Sequence, residues 1–193
     1  MANIFGFGGP QYDVDDVKIA VNNGDGTFGP LVDVPSVDLF QVGIRMKSAE
    51  MRGDARITAV ASQIEAVEFQ MRMGSFGLDV YEILFGVSNS ESGTTPDRYK
   101  EIELGAGTRM PYFAIVGRSL AGETSGGTMI FVPYVKIMQT VSVRVEYNSF
   151  SMPEVTALAL GDPVLEDNSS RPLVLKIKEY ETLPAITIPL PGG

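Results

Sequence analysis

Residues 54–73 read DARITAVASQIEAVEFQMRM, and one parity governs nearly all of them. The odd positions Ala55, Ile57, Ala59, Ala61, Val67, Phe69, Met71 and Met73 are apolar. The even positions include Asp54, Arg56, Thr58, Ser62, Glu68, Gln70 and Arg72, and only Gln63 and Glu65 interrupt the apolar face. Successive side chains of a strand point to opposite faces, so this alternation marks a strand with one buried and one wet face. At about 3.3 Å per residue the stretch would span about 65 Å if unbroken, whereas an ordinary strand has about five or six residues.

Residues 128–147 (TMIFVPYVKIMQTVSVRVEY) repeat the pattern. Met129, Phe131, Val135, Ile137, Val141, Val143, Val145 and Tyr147 form the apolar face; Thr128, Lys136, Thr140, Ser142, Arg144 and Glu146 form the other. Pro133 cannot donate to a strand ladder and so marks an edge or a bulge. A compact domain has no need of two overlong amphipathic strands, but a barrel shared between subunits does.

Shorter elements surround these two. Residues 37–46 alternate through Phe40, Val42, Ile44 and Met46, predicting a half-buried strand, and SAEMRG at 48–53 follows as a loop. Residues 76–85 predict the one helix: Phe76, Val80, Ile83 and Leu84 share a face, Ser75 can cap its start and Gly86 can end it. So short a helix must pack on a sheet to persist. Residues 87–98 read as a polar loop, and 112–120, 155–160 and 173–177 as further strands. Apolar 17–21 leads into the turn GDGTFGP at 24–30. Residues 183–193 (LPAITIPLPGG) are apolar yet interrupted by prolines, which suits an arm lying on a neighbouring surface and not a strand inside a sheet. The expected organisation is an N-terminal arm (1–13), a β domain (14–182) and a C-terminal arm (183–193).

Composition narrows the chemistry. Of 193 residues 44% are hydrophobic and 20% charged, enough to bury a core. Cysteine and histidine are both absent. That removes disulfides, thiolate nucleophiles, the Ser-His-Asp relay and nearly all zinc chemistry. A carboxylate hydrolase would need two acids converging about 5 to 10 Å apart, and the sequence nominates no pair. The expectation is a protein without catalytic residues, metal or cofactor. Residues 122–127 (GETSGG) lack the lysine of a phosphate loop. No run of about 18 apolar residues predicts a membrane span, and the first residues show neither a basic start nor an apolar signal core. The net charge of −9, from 24 acidic and 15 basic residues, opposes a nucleic-acid grip built on phosphate neutralisation.

Two weaker motifs suggest a different class. Asp13, Asp15, Asp16 and Asp25 could form a calcium loop, and Arg52-Gly53-Asp54 matches a cell-adhesion tripeptide. Together they would make a calcium-binding extracellular adhesion module. The EF-hand spacing fails, however, and a tight turn accounts for Gly53.

The order of elements resembles the major tail protein (tail tube protein) of long-tailed, siphovirus-type bacteriophages. The resemblance rests on Val17-Lys18-Ile19-Ala20 followed by Asp25-Gly26-Thr27-Phe28-Gly29, and on the strands around Arg52-Gly53-Asp54. It continues through Ile64-Glu65-Ala66-Val67-Glu68-Phe69, the helix ending Ile83-Leu84-Phe85-Gly86, and Tyr112-Phe113-Ala114-Ile115-Val116-Gly117-Arg118. It covers residues 14–180 and implies an antiparallel β-sandwich with one flanking helix and long hairpins that close an inner barrel between subunits. It further implies hexameric rings stacked into a tube, built in the host cytoplasm and carried in the virion tail. The tape-measure protein, tail terminator and tail-tip proteins would be partners, and double-stranded DNA would pass through without specific binding. A ring-forming tube protein of a phage-derived injection device is the neighbouring alternative.

Under that resemblance the lumen candidates are Glu68, Gln70 and Arg72 with Thr140, Ser142, Arg144 and Glu146. The other reading of this face is a solvated outer surface. Arg72 and Arg144 suit a lumen that repels DNA only if acidic neighbours pair them. Glu50, Met51, Arg52, Gly53 and Asp54 are the inter-subunit loop candidates, and Ile186, Ile188 and Leu190 the arm candidates.

Overall fold

The computed structural model describes residues 11–53, 56–75, 77–121, 126–142 and 152–188. It is mainly β and antiparallel, with one short helix. The chain runs β1 (Gln11–Val21), β2 (Val32–Asp33), β3 (Val37–Gly53), β4 (Arg56–Met73), α1 (Leu78–Phe85), β5 (Ser90–Ser92) and β6 (Tyr99–Glu101). It continues through β7 (Phe113–Ala121), β8 (Gly127–Ser142), β9 (Glu154–Ala159) and β10 (Lys176–Tyr180). Hydrogen bonding orders the main sheet β2-β1-β7-β8-β9-β4-β3, with β10 also paired to β8, while β5 and β6 form a separate small hairpin.

The two overlong strands are present: β4 has 18 residues, β8 has 16, and β3 reaches 17. The expected loop at 48–53 is strand instead, because Ser48, Glu50 and Arg52 pair with Ser62, Val60 and Ile57. The single parity expected along 54–73 also fails. Arg45 faces Ala66 but Met46 faces Ile64, so Glu65 is an extra residue in β4 and the strand changes parity there. The break in alternation at Gln63 and Glu65 is the trace of this bulge. Beyond it the face continuous with Val67, Phe69 and Met71 carries Ile64, Ser62 and Val60, while Ala61 and Ala59 turn to the other side.

β8 holds the sheet together. Val135 pairs with Phe113 of β7 on one edge and with Ala159 of β9 on the other. Lower in β8, Met129 pairs with both Arg118 of β7 and Lys178 of β10. β9 and β10 therefore follow one another along the same edge. Pro133 sits in a bulge between the pairs Ile115–Val132 and Phe113–Val135, where a missing N–H breaks no regular ladder.

The main core gathers Val17 and Ile19 of β1, Val67, Phe69, Met71 and Met73 of β4, and Phe113 and Ile115 of β7. Val132, Val135 and Ile137 of β8, Val155 of β9, and Val80, Tyr81 and Leu84 of α1 complete it. Phe40 of β3 stands edge-on to Phe69, with ring centroids 5.3 Å apart, and its ring lies over Gly117 of β7. The helix starts two residues later than expected, with Gly77 at the cap position and no side-chain cap bond from Ser75. Gly86 ends it as foreseen, in the left-handed conformation at φ 68°, with its N–H donating to the Glu82 carbonyl. No helix among the described residues is long and apolar enough to cross a membrane.

The opposite face of β7 and β8 carries a second cluster of Ala114, Val116, Met129, Phe131, Leu165 and Ile186. The Arg118 guanidinium donates to the Pro184 carbonyl at 3.0 Å, and Ile188 packs against the cluster. Residues 183–188 are thus seated on their own chain. Gly127 is where β7, β8 and the 183–188 segment crowd most closely: an added Cβ would fall 2.1 Å from the Ser119 carbonyl oxygen. Backbone cannot yield as a side-chain tip can, so Gly127→Ala should cost about 2 to 3 kcal/mol in urea unfolding. An unchanged midpoint would contradict this packing.

Candidate functional site

The surface with most to explain is the outer half of the β3–β4 hairpin and the sheet it extends. Register places Glu68, Gln70 and Arg72 opposite Leu158, Thr156 and Glu154 of β9, and Ser142 of β8 opposite Glu154. Paired residues share a face, so four of the residues nominated as lumen-lining come together on the side away from the core. Thr140 lies in β8 where that strand has two residues more than β9 between its pairs. Arg144 and Glu146 lie outside the described residues.

This polar face is a mosaic of ion pairs. Arg72 donates through Nε to both Asp38 carboxylate oxygens, at 2.9 and 3.0 Å. Asp38 is the extra residue of a bulge at the start of β3. Arg45 pairs with Glu68, and Gln70 donates to Glu154. Lys136 stands 4.7 Å above the Tyr112 ring, which stacks on Tyr134 at 3.8 Å. Arg72 thus has an acidic neighbour that balances its charge.

The other face of the hairpin begins in the core and ends in solvent. Val67, Phe69 and Met71 are buried by α1 and the facing strands. On the same face farther out, Ile44, Met46, Val60 and Ile64 are 51%, 59%, 62% and 55% exposed. Four large apolar side chains aligned on an unpacked surface mark an interaction site. Met51, a loop candidate, is also exposed near the hairpin end. Glu50, Arg52 and Gly53 belong to β3, while Asp54 and Leu190 lie outside the described residues.

Backbone edges add to this. β3 is the last strand of the sheet, and no described strand pairs its outer edge. β7 covers β8 only as far as Val135, which leaves 136–142 uncovered on that side. β9 covers β4 from Val67 to Arg72 and not the outer half. Long uncovered edges are templates for further strands.

The calcium motif does not assemble. Asp25 accepts from the N–H and hydroxyl of Thr27, which hold its carboxyl below the usual range. Asp15 pairs with Arg118, and Asp16 lies 3.7 Å from Lys18. Among the described residues no three His, Cys, Asp or Glu side chains group to hold a metal ion.

Asp16 carries a pH signature. Burial first, and then the Asp33 carboxyl beside it, raise its pKa. A carboxyl raised in the folded state adds stability below its unfolded pKa and loses it as pH rises through the folded value. Asp16→Asn should therefore raise the melting midpoint at pH 7, with the advantage vanishing near pH 3. A midpoint at pH 7 equal to or below that of the unmodified chain would refute the assignment.

Sequence reading missed a buried polar junction. Asn22, at the end of β1, donates at 2.8 Å to the Pro133 carbonyl in the β8 bulge and at 2.8 Å to Asp162. Asp162 also accepts from the N–H groups of Val164 and Leu165. Its partners are 111 and 140 residues from Asn22, so no local pattern announces them.

No known family model matches this sequence, and no curated protein matches it.

Proposed function

We propose that this chain is a non-catalytic structural subunit of the tail tube of a long-tailed bacteriophage. In this reading each copy is a β-sandwich with a flanking helix. Six copies form a ring, rings stack, and the lumen holds the tape-measure protein and then conducts DNA. The tube would be built in the host cytoplasm and reside in the virion tail.

One observation supports this most: the strand series β3-β4-β9-β8 has an open edge at each end. Each neighbouring pair in it is antiparallel, so the two end strands run in opposite directions. Placing β3 of one copy beside residues 136–142 of the next continues the antiparallel alternation. Repeating that step around an axis closes a barrel and leaves no edge. The ion-paired face then lines the lumen, and the core side faces outward. Balanced charge pairs give passing phosphates little net attraction and little counterion release.

The test is negative-stain microscopy of purified protein over a range of concentration and salt. Tubes of uniform diameter are expected. Discrete rings that never stack would favour a ring-forming tail component or injection-device protein, and a monomer under every condition would count against assembly.

A further inference from the structure

The turn that follows β1 closes where Asn22 meets Phe28 and the Gly29 N–H donates to the Val21 carbonyl. At its tip lies Asn23-Gly24, and asparagine is among the chemically labile residues. No other asparagine of the chain is followed by glycine. Both residues are exposed. Gly24 sits at φ 80°, in the left-handed region that suits glycine, and open space lies where a Cβ would stand. No side chain on Gly24 therefore hinders an approach of its backbone nitrogen to the Asn23 carboxamide.

Two hydrogen bonds hold the groups concerned. The Gly24 N–H donates to Asn22 Oδ1 at 2.7 Å, and Asn23 Nδ2 donates to Thr27 Oγ1 at 2.9 Å. Asn22 is itself fixed by its bonds to the Pro133 carbonyl and Asp162, whereas the Thr27 contact is exposed.

We infer that Asn23 is a self-modification site, where the chain converts its own asparagine to aspartate and isoaspartate at a rate restrained by Thr27. Water is the only co-reactant. Hydroxide takes the Gly24 amide proton, and the nitrogen lone pair attacks Asn23 Cγ. The new C–N bond closes a succinimide ring as the Cγ–Nδ2 bond breaks. The leaving nitrogen takes a proton from water and departs as ammonia, which regenerates hydroxide. Water then opens the ring at either carbonyl. One opening restores the ordinary backbone with a carboxylate side chain, and the other routes the backbone through that side chain.

Asp25-Gly26 repeats the spacing without competing. Asp25 accepts from the hydroxyl and N–H of Thr27, which keep its carboxyl ionised, and a carboxylate resists attack by an anionic nitrogen. Conversion of Asn23 adds one negative charge to the net −9 and sets a second carboxylate near Asp25 where Thr27 had a donor. None of this chemistry depends on the chain's assembling into a tube.

The test incubates the full chain, folded, in warm buffer and follows intact mass and peptide maps. The mass increase of one amide-to-acid conversion should appear, should map to Asn23 before any other asparagine, and should come faster in mildly alkaline than in mildly acidic buffer. Thr27→Val should convert about fivefold faster, the effect of releasing one hydrogen bond of ordinary net strength. Thr27→Ser, which keeps the hydroxyl, should convert at the unsubstituted rate, and Asn23→Gln should show no conversion at this position. An Asn23 that stays unconverted in the folded chain would overturn the proposal. So would conversion spread evenly over Asn23, Asn89 and Asn168, or a Thr27→Val rate equal to that of the unsubstituted chain.

Discussion

Ile44→Asp combined with Met46→Asp should abolish rings and tubes while leaving the isolated subunit as stable as before. Both side chains are more than half exposed, and exposed substitutions away from structural contacts cost within about 0.5 kcal/mol. For a chain of this size that moves the melting midpoint by about 2 °C or less. In the proposed assembly a neighbouring copy would cover this outward-facing apolar surface, and two unpaired carboxylates there would cost several kcal/mol at every copy. Sedimentation should show a monomer at concentrations where the unmodified chain is expected to polymerise. If the double variant still forms tubes, the apolar face of the hairpin is not an assembly surface.

Phe69→Ala should have the largest effect on the fold itself. Phe69 is 1% exposed, lies on the same strand face as those residues, and holds Phe40 edge-on against it. Removing a buried phenyl ring costs about 3 to 5 kcal/mol, combining lost transfer energy with the cavity left behind. At about 2 to 4 °C per kcal/mol, the midpoint should fall by about 6 to 20 °C. Ile64→Ala, five residues away on the same face but exposed, should stay within about 0.5 kcal/mol. Similar losses at the two positions would contradict the division of β4 into a packed and an unpacked half.

That division explains what could be read in advance. Alternation exposed the two overlong strands because half of each lies over a core that selects apolar residues at every second position. The same rule misread residues 48–53 as a loop: the outer hairpin has no core beneath it within its own chain, so small and polar residues survive in a strand. Glu65 registered only as an interruption, since a bulge is a relation between two strands and one strand's sequence records half of it. Among the described residues 181–188 carry no strand, as their prolines suggest, yet the packing of Ile186 on its own chain's β7 and β8, in place of a neighbouring surface, needed the fold to be seen. Glu68, Gln70, Arg72 and Ser142 could be grouped from parity alone. Asp38, which neutralises Arg72, could not, because it lies in a bulge 34 residues away.

How the open edges are joined between copies decides whether the proposed barrel forms. A reconstruction of assembled particles that resolves strands should show β3 of each copy antiparallel to residues 136–142 of the next, with the Arg45–Glu68 and Arg72–Asp38 pairs facing the lumen. Rings joined through another surface, with β3 left facing solvent, would contradict it.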